Sequence, residues 1–253
     1  MISIKTPLEL NAMKILGAKT DCIVSKLIEF TKAGVSTKQI EDLALSLFDT
    51  YGLSSAFYGY SGFPGQLCIS VNEELIHGIP SASKIICDGD IVSIDCGLFD
   101  NGLYSDMARS FAVGSIDELK TDLLHVGYEA LLRGMNAVRP GAAVGDIGYA
   151  VQSYVEECGF CVVKKFVGHG VGRDLHEEPE IPNFGVKGQG PRLRAGMTLA
   201  IEPMITVDSD DVYVDRDDWT VIAKDKKPCV HFENTIAVTV NGYEILTMME
   251  SNG

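Results

Sequence analysis

The sequence predicts a single α/β domain, more strictly α+β, of duplicated design, with helices packed on a curved and largely antiparallel sheet. Three observations carry that reading. Helical and strand-like stretches occur twice in the same order. Matching positions in the two passes keep one offset, 107 residues, over about sixty residues. Each pass also contains a turn followed by an apolar strand that closes on a carboxylate: DGDIVSID closes on Asp95 and AGMTLAIE on Glu202. At 253 residues the chain can bury a sizeable core. We read residues 1–253 as one domain, with an internal repeat of approximately 1–113 and 114–253.

Thr6-Pro7-Leu8-Glu9 is a capping box with proline at the first helical position, predicting a helix to about Thr31 that Gly34 breaks. Ser36 to Gln39 is a second box. The stripe Ile40, Leu43, Ala44, Leu47, Phe48 continues that helix to about Gly52. Ile91 to Ile94 reads as a buried strand ending on Asp95, Asp100-Asn101-Gly102 as a turn, and Leu103 to Ala108 as the returning strand carrying Asp106. Closing the hairpin midway between the two aspartates places them nearly opposite each other. Ser115 to Glu118 is a third box, and its helix stops before Pro140-Gly141. A fourth helix runs from about Val144 to Cys158, stopped by Gly159. The offset pairs Gly34 with Gly141, Ile40 with Ile147, Gly52 with Gly159, Gly89 with Gly196 and Asp95 with Glu202. Asp106 in YSDMARSFAV has its counterpart, 127 residues on, in Glu233 of HFENTIAV. The longer offset falls in the second hairpin, which holds Trp219 and an aspartate-rich run.

Composition narrows the function. No stretch approaches the roughly 18 apolar residues of a membrane span, and the N-terminus has no signal-peptide core, so a soluble cytoplasmic protein is expected. A net charge of −14 argues against nucleic-acid binding by the whole surface. The six aspartates in Asp208 to Asp218 lack the glycine and glutamate of a calcium loop, so they read as a solvated loop. Seven cysteines, an odd number scattered through apolar segments, read as reduced and mostly buried thiols. Cys158 and Cys161 have C-x-x-C spacing, but the motif ends a helix instead of starting one, and no second pair completes a zinc site.

The acids carry the chemistry. A twofold arrangement brings Asp95, Asp106, Glu202 and Glu233 together at the sheet centre, where four carboxylates cannot all stay ionised without compensation. Two divalent cations supply four positive charges. An oxygen-rich site with one imidazole suits Mn, Fe, Co or Zn. The imidazole is assigned to His169 in FVGHGVGRDLHEEP, where Gly168, Gly170 and Gly172 allow close backbone approach. That segment lacks the G-x-G-x-x-G spacing of a nucleotide loop, and Glu180 denies it the H-E-x-x-H zinc motif. His77 in NEELIHGIP and His176 are candidates for substrate contact. His125 reads as a helical bystander, and His231, two residues before Glu233, can touch the site.

With NEELIHGIP, GDIVSID, SDMARSF, GHGVGRDLHEEP, MTLAIEPM and HFENT in this order, the sequence resembles type I methionine aminopeptidases along essentially its whole length. The resemblance implies the pita-bread fold, a metal ligand set of Asp95, Asp106, His169, Glu202 and Glu233, and two bound divalent ions. It implies removal of N-terminal methionine from nascent polypeptides, at the ribosome; a monomer is expected. In the implied mechanism a metal-activated water attacks the first peptide carbonyl and Glu202 shuttles its proton. His176 polarises the carbonyl, and His77 contacts the scissile nitrogen or the residue after it. Tyr60, Phe63, Cys68 and Trp219 fall where the family places the walls of the methionine pocket. Phe57 and Leu175 depart from it, with a smaller cysteine usual at the first and an aromatic at the second. Asn234 stands where a histidine often follows the last ligand. Three alternatives remain: an X-Pro aminopeptidase or prolidase of the same fold, a non-catalytic binding protein built on it, and a metal-storage site.

Overall fold

The computed structural model describes residues 2–248. Helix α1, Pro7–Phe30, starts where the Thr6 side chain accepts the Glu9 N–H and the Glu9 carboxylate accepts the Thr6 N–H, the reciprocal box expected. Ser36 and Gln39 do the same for α2, Thr37–Tyr51, which Gly52 closes in the left-handed conformation. The third helix begins differently. Asp117, not Ser115, accepts the Lys120 N–H and caps α3, Glu118–Asn136; a carboxylate suits the positive end of a helix at least as well as a hydroxyl. Helix α4 is Val144–Glu157.

The strands follow in chain order. The first half holds β1 (Ser54–Ser55), β2 (Cys68–Val71), β3 (Glu74–Ile76), β4 (Ile91–Asp100) and β5 (Leu103–Ala112). The second begins with β6 (Cys161–Val162), β7 (Gly168–Gly170), β8 (Glu177–Ile181), β9 (Thr198–Ile201) and β10 (Met204–Thr206). It ends with β11 (Val212–Val214), β12 (Val221–Ala223), β13 (Val230–His231), β14 (Glu233–Thr239) and β15 (Gly242–Ile245). The main sheet runs β1-β4-β5-β14-β9-β7-β8, with β2 also on β4 and β15 on β14. All its pairings among the described residues are antiparallel. The insertion in the second hairpin is more than a loop. Its strands β11 and β12 join β3 in a small sheet, although most of the aspartates there are exposed.

The central hairpin corrects one expectation. Asn101 and Gly102, both at positive φ, form the two-residue turn, so Asp100 pairs with Leu103. Asp95 therefore faces Ala108 and Asp106 faces Gly97, two residues apart along the ladder but on one face. Strand β4 also runs five residues beyond Asp95.

Alternation sorts the two faces. Ile94 of β4 packs with Ile23, Leu27, Ile40 and Phe48 of α1 and α2, while Leu199 and Ile201 of β9 pack with Val126, Ile147 and Val151 of α3 and α4. The intervening residues, Asp95 and Ala200 among them, point to the opposite face. The two passes share backbone detail at the 107-residue offset: Gly34 and Gly141 (φ 91 and 85), Gly52 and Gly159 (65 and 84), and Gly89 and Gly196 (91 and 89). The bridges Ser36–Ile85 and Ala143–Arg192 keep the same spacing. From these matches we infer one duplicated domain. The cysteines form no disulfide; Cys68, Cys96 and Cys229 are buried as expected, whereas Cys87 and Cys158 are exposed.

Candidate active site

Strand register decides which side chains meet. Cys68 pairs with Asp95, Asp95 with Ala108, and Ala108 with Glu233, a row across four strands. Asn234 pairs with Ile201, so Glu202, the next residue, comes opposite Glu233. Asp106 lies two residues from Ala108 on the same face, and His169 of β7 pairs with Ala200, two residues before Glu202. The residues interspersed on this face are small, Gly97, Ala108 and Ala200, which leaves the acids room. One donor atom each from Asp106, His169 and Glu233 lies within 4.8 Å of the other two. Asp95 and Glu202 line the same cavity.

Asp95, Asp106, His169, Glu202 and Glu233 are all buried, none more than 9% exposed. Burial pushes all four carboxyl groups well above the usual carboxylate range. Repulsion adds to this at Asp95, from Asp106 and Glu202, and at Glu233, from Asp106. Arg109 offsets this at Glu233 least of the influences on that carboxyl, and its guanidinium donates to the backbone carbonyls of Ala108 and Glu233, at 2.9 and 2.6 Å. Asp95 Oδ1, Asp106 Oδ1 and Glu233 Oε1 are buried with no hydrogen-bond partner among the described residues. Native proteins rarely leave such oxygens unmatched. Four carboxylates, three of them with an unmatched oxygen, and one imidazole fit divalent cations that accept oxygen and nitrogen donors.

The imidazole is oriented for that role. His169 Nδ1 lies 2.9 Å from the Gly170 carbonyl oxygen, which can only accept, so Nδ1 carries the proton. The bare Nε2 then faces Glu202, 3.5 Å from Oε1. Burial pushes the ring down to about 3, keeping it neutral near pH 7. His231 is the nearby group that the expected ligand set omits: its Nε2 is 3.2 Å from Glu202 Oε2 and its buried Nδ1 has no partner. Its position two residues before Glu233 was the only sequence signal. Asn183 Nδ2 holds the Glu202 carbonyl at 2.8 Å. Asn234 is buried and donates to the Thr247 carbonyl at 3.3 Å.

The acids lie in a cavity of about 230 Å³. Tyr60, Phe63, Cys68 and Trp219 line it, and so do Phe57 and Leu175. Phe63 meets Trp219 edge-on at 5.1 Å. Tyr60 and His176, both exposed, share a 2.7 Å contact between the phenol and Nδ1. The His176 ring also stands against the His169 ring at 4.3 Å. His77, at φ 59, lies 6.2 Å from Trp219, and burial pushes it down to about 4. His125 is exposed on α3. Ile76, Phe166 and Met204 also line the cavity. Sequence reasoning gave them no role, although each sits inside one of three motifs it used, Ile76 in NEELIHGIP, Phe166 in FVGHGVGRDLHEEP and Met204 in MTLAIEPM.

A buried carboxylate and imidazole cluster on a sheet of this topology has the donor set of a metal-dependent hydrolase. Residues 11–240 match metallopeptidase family M24, and the chain belongs to that family. It is 46% identical to methionine aminopeptidase 1 of Bacillus subtilis, over 98% of this chain and 99% of the relative. The methionine aminopeptidase structure from Thermotoga maritima matches with a TM-score of 0.96 at 43% identity, covering 98% of this chain and 100% of that one. A prolidase structure from Pyrococcus horikoshii matches less closely, with a TM-score of 0.78 and 25% identity, over 98% of this chain and 64% of that one. Within the family the chain thus groups with the methionine aminopeptidases, and its fold is their pita-bread fold.

Proposed function

We propose that the protein removes the N-terminal methionine from nascent polypeptides by metal-dependent hydrolysis. The observation that carries this reading is a single cavity in which buried, unmatched carboxylates adjoin an apolar, aromatic-lined space. Asp95, Asp106, His169, Glu202 and Glu233 would hold two divalent ions, of Fe, Mn, Co or Zn. When bound, such ions polarise a carbonyl and lower the pKa of water toward neutrality.

The chain's own groups supply the rest. Glu202 takes the proton of the attacking water and passes it to the departing amine nitrogen, its second oxygen beside His231 Nε2 at 3.2 Å. Burial lowers the pKa of His176, so it is neutral at pH 7 and can donate a hydrogen bond to the peptide carbonyl oxygen. His77 contacts the scissile nitrogen or the residue beyond it. Phe63, Cys68, Trp219 and Tyr60 surround the methionine side chain, whose flexible thioether packs well among aromatic rings. The cationic α-amine is drawn to the acid cluster near Asp95, which restricts cleavage to free N-termini.

We place the activity in the cytoplasm, on chains leaving the ribosome, and in a monomer. No helix among the described residues is long and apolar enough to cross a membrane. Assaying Met-Ala-Ser against X-Pro peptides in the presence of each metal tests the proposal. Release of methionine is expected, and preferential cleavage beside proline would point to the prolidase reading.

A further inference from the structure

The segment preceding α1 crosses the loop that carries His176. Lys5 has a side chain only 1% exposed, and its ammonium pairs with Glu177 Oε2. Glu177 is the residue after His176. Its other oxygen accepts the N–H groups of Arg173 and Asp174 at 2.7 and 3.2 Å, closing the loop on itself. Gly172 lies so near the lysine stem that a Cβ there would overlap Lys5 Cε. The Lys5 N–H donates to the Gly196 carbonyl at 2.7 Å, in the turn before the strand that delivers Glu202. Beside it the Arg173 guanidinium grips Glu9 of the α1 cap at 2.7 and 3.0 Å.

A buried ion pair is a poor way to gain stability, since desolvating both charges offsets their attraction. It does fix position, because a buried ammonium admits few alternative partners. Among the described residues Tyr60 is the one hydrogen-bonding contact of the His176 ring, and it is exposed. The backbone on the C-terminal side of His176 is held through Glu177.

We propose that Lys5 is a positioning residue for the reaction, holding the Arg173–Glu177 loop through Glu177 so that His176 is presented to the substrate carbonyl. This rests on the role given to His176 above. The Lys5→Met variant, which keeps the stem and removes the charge, is expected to lose about 10- to 100-fold in kcat on Met-Ala-Ser. KM should stay within about twofold, because Phe63, Cys68 and Trp219, which surround the methionine side chain, lie outside that loop. Lys5→Arg should restore most of the loss, and hydrogen exchange at residues 173–177 should rise in Lys5→Met alone. In a His176→Ala background, Lys5→Met should cost under about twofold more, since it acts through the missing ring. Should Lys5→Met fold poorly, Glu177→Gln, which keeps the backbone contacts and removes the charge, carries the same test. Wild-type kcat in Lys5→Met beside a loss in His176→Ala overturns the proposal alone. An undiminished further loss on top of His176→Ala does the same. Wild-type kcat in His176→Ala overturns the role of His176 itself.

Discussion

Asp106 shows what burial does to a carboxylate whose neighbours are other carboxylates. It is 3% exposed, one oxygen is unmatched, and burial and the nearby Glu202 both push its pKa up. Replacing it with asparagine keeps the shape and removes one of four crowded acids. We expect Asp106→Asn to lose more activity than the roughly 10- to 100-fold typical of groups that only support a ligand. The metal-free variant should melt no lower than the metal-free parent. Turnover with metal in excess and thermal unfolding without it check the two halves separately. Wild-type turnover would remove Asp106 from the site. The residue types here were legible in the sequence, because acids that close apolar strands are costly without a counter-charge. The tautomer of His169 was not, since it depends on the direction of the Gly170 carbonyl. Nor was the place of Ile76 in the cavity wall, although it adjoins His77 in the NEELIHGIP stretch.

At the scale of elements, the seam between the two halves is where β5 meets β14. Thr235 Oγ1 bridges it, accepting the Asp106 N–H at 3.2 Å and donating to the Asp106 carbonyl at 2.8 Å. Thr235→Val keeps the volume and leaves both groups buried and unmatched. It should cost about 1–3 kcal/mol, lowering Tm by roughly 2–10 °C; an unchanged Tm would show that the seam does not depend on this bridge. The latch between α1 and the His176 loop answers to pH. Hydrogen bonding to Arg173, more than to Thr6, holds Glu9 down to about 2. The sign follows from that depression. Its stabilising effect is complete above the usual glutamate value of about 4.5 and fades as pH falls toward 2. The Tm difference between the parent and Glu9→Gln should therefore hold steady from about pH 5 to 7 and shrink below about 4.5. It should also be small, because the pair is exposed. Helices were the most legible elements, since capping boxes and terminal glycines are local. Register was less so: the turn settled on Asn101-Gly102 because both residues adopt positive φ, which moved Asp95 and Asp106 two positions apart.

Over the whole molecule, the repeat was readable because turns at positive φ favour glycine in both passes, as at Gly89 and Gly196. The fate of the insertion between Glu202 and Glu233 was not readable. Its aspartates suggest only solvation, whereas its strands place Trp219 against Phe63. One cluster of acids on a sheet shared by both halves makes cation binding a folding term. A divalent ion at a hundred times its dissociation constant should add about 2.7 kcal/mol, raising Tm by roughly 5–10 °C, and a chelator should reverse the shift. The most direct test of the central claim is release of free methionine from Met-Ala-Ser by protein first stripped of metal and then given Fe, Mn, Co or Zn in turn. No release is expected from the stripped protein, and turnover should return with at least one of these ions. Full activity in the stripped protein, or none with any of the four, would contradict it.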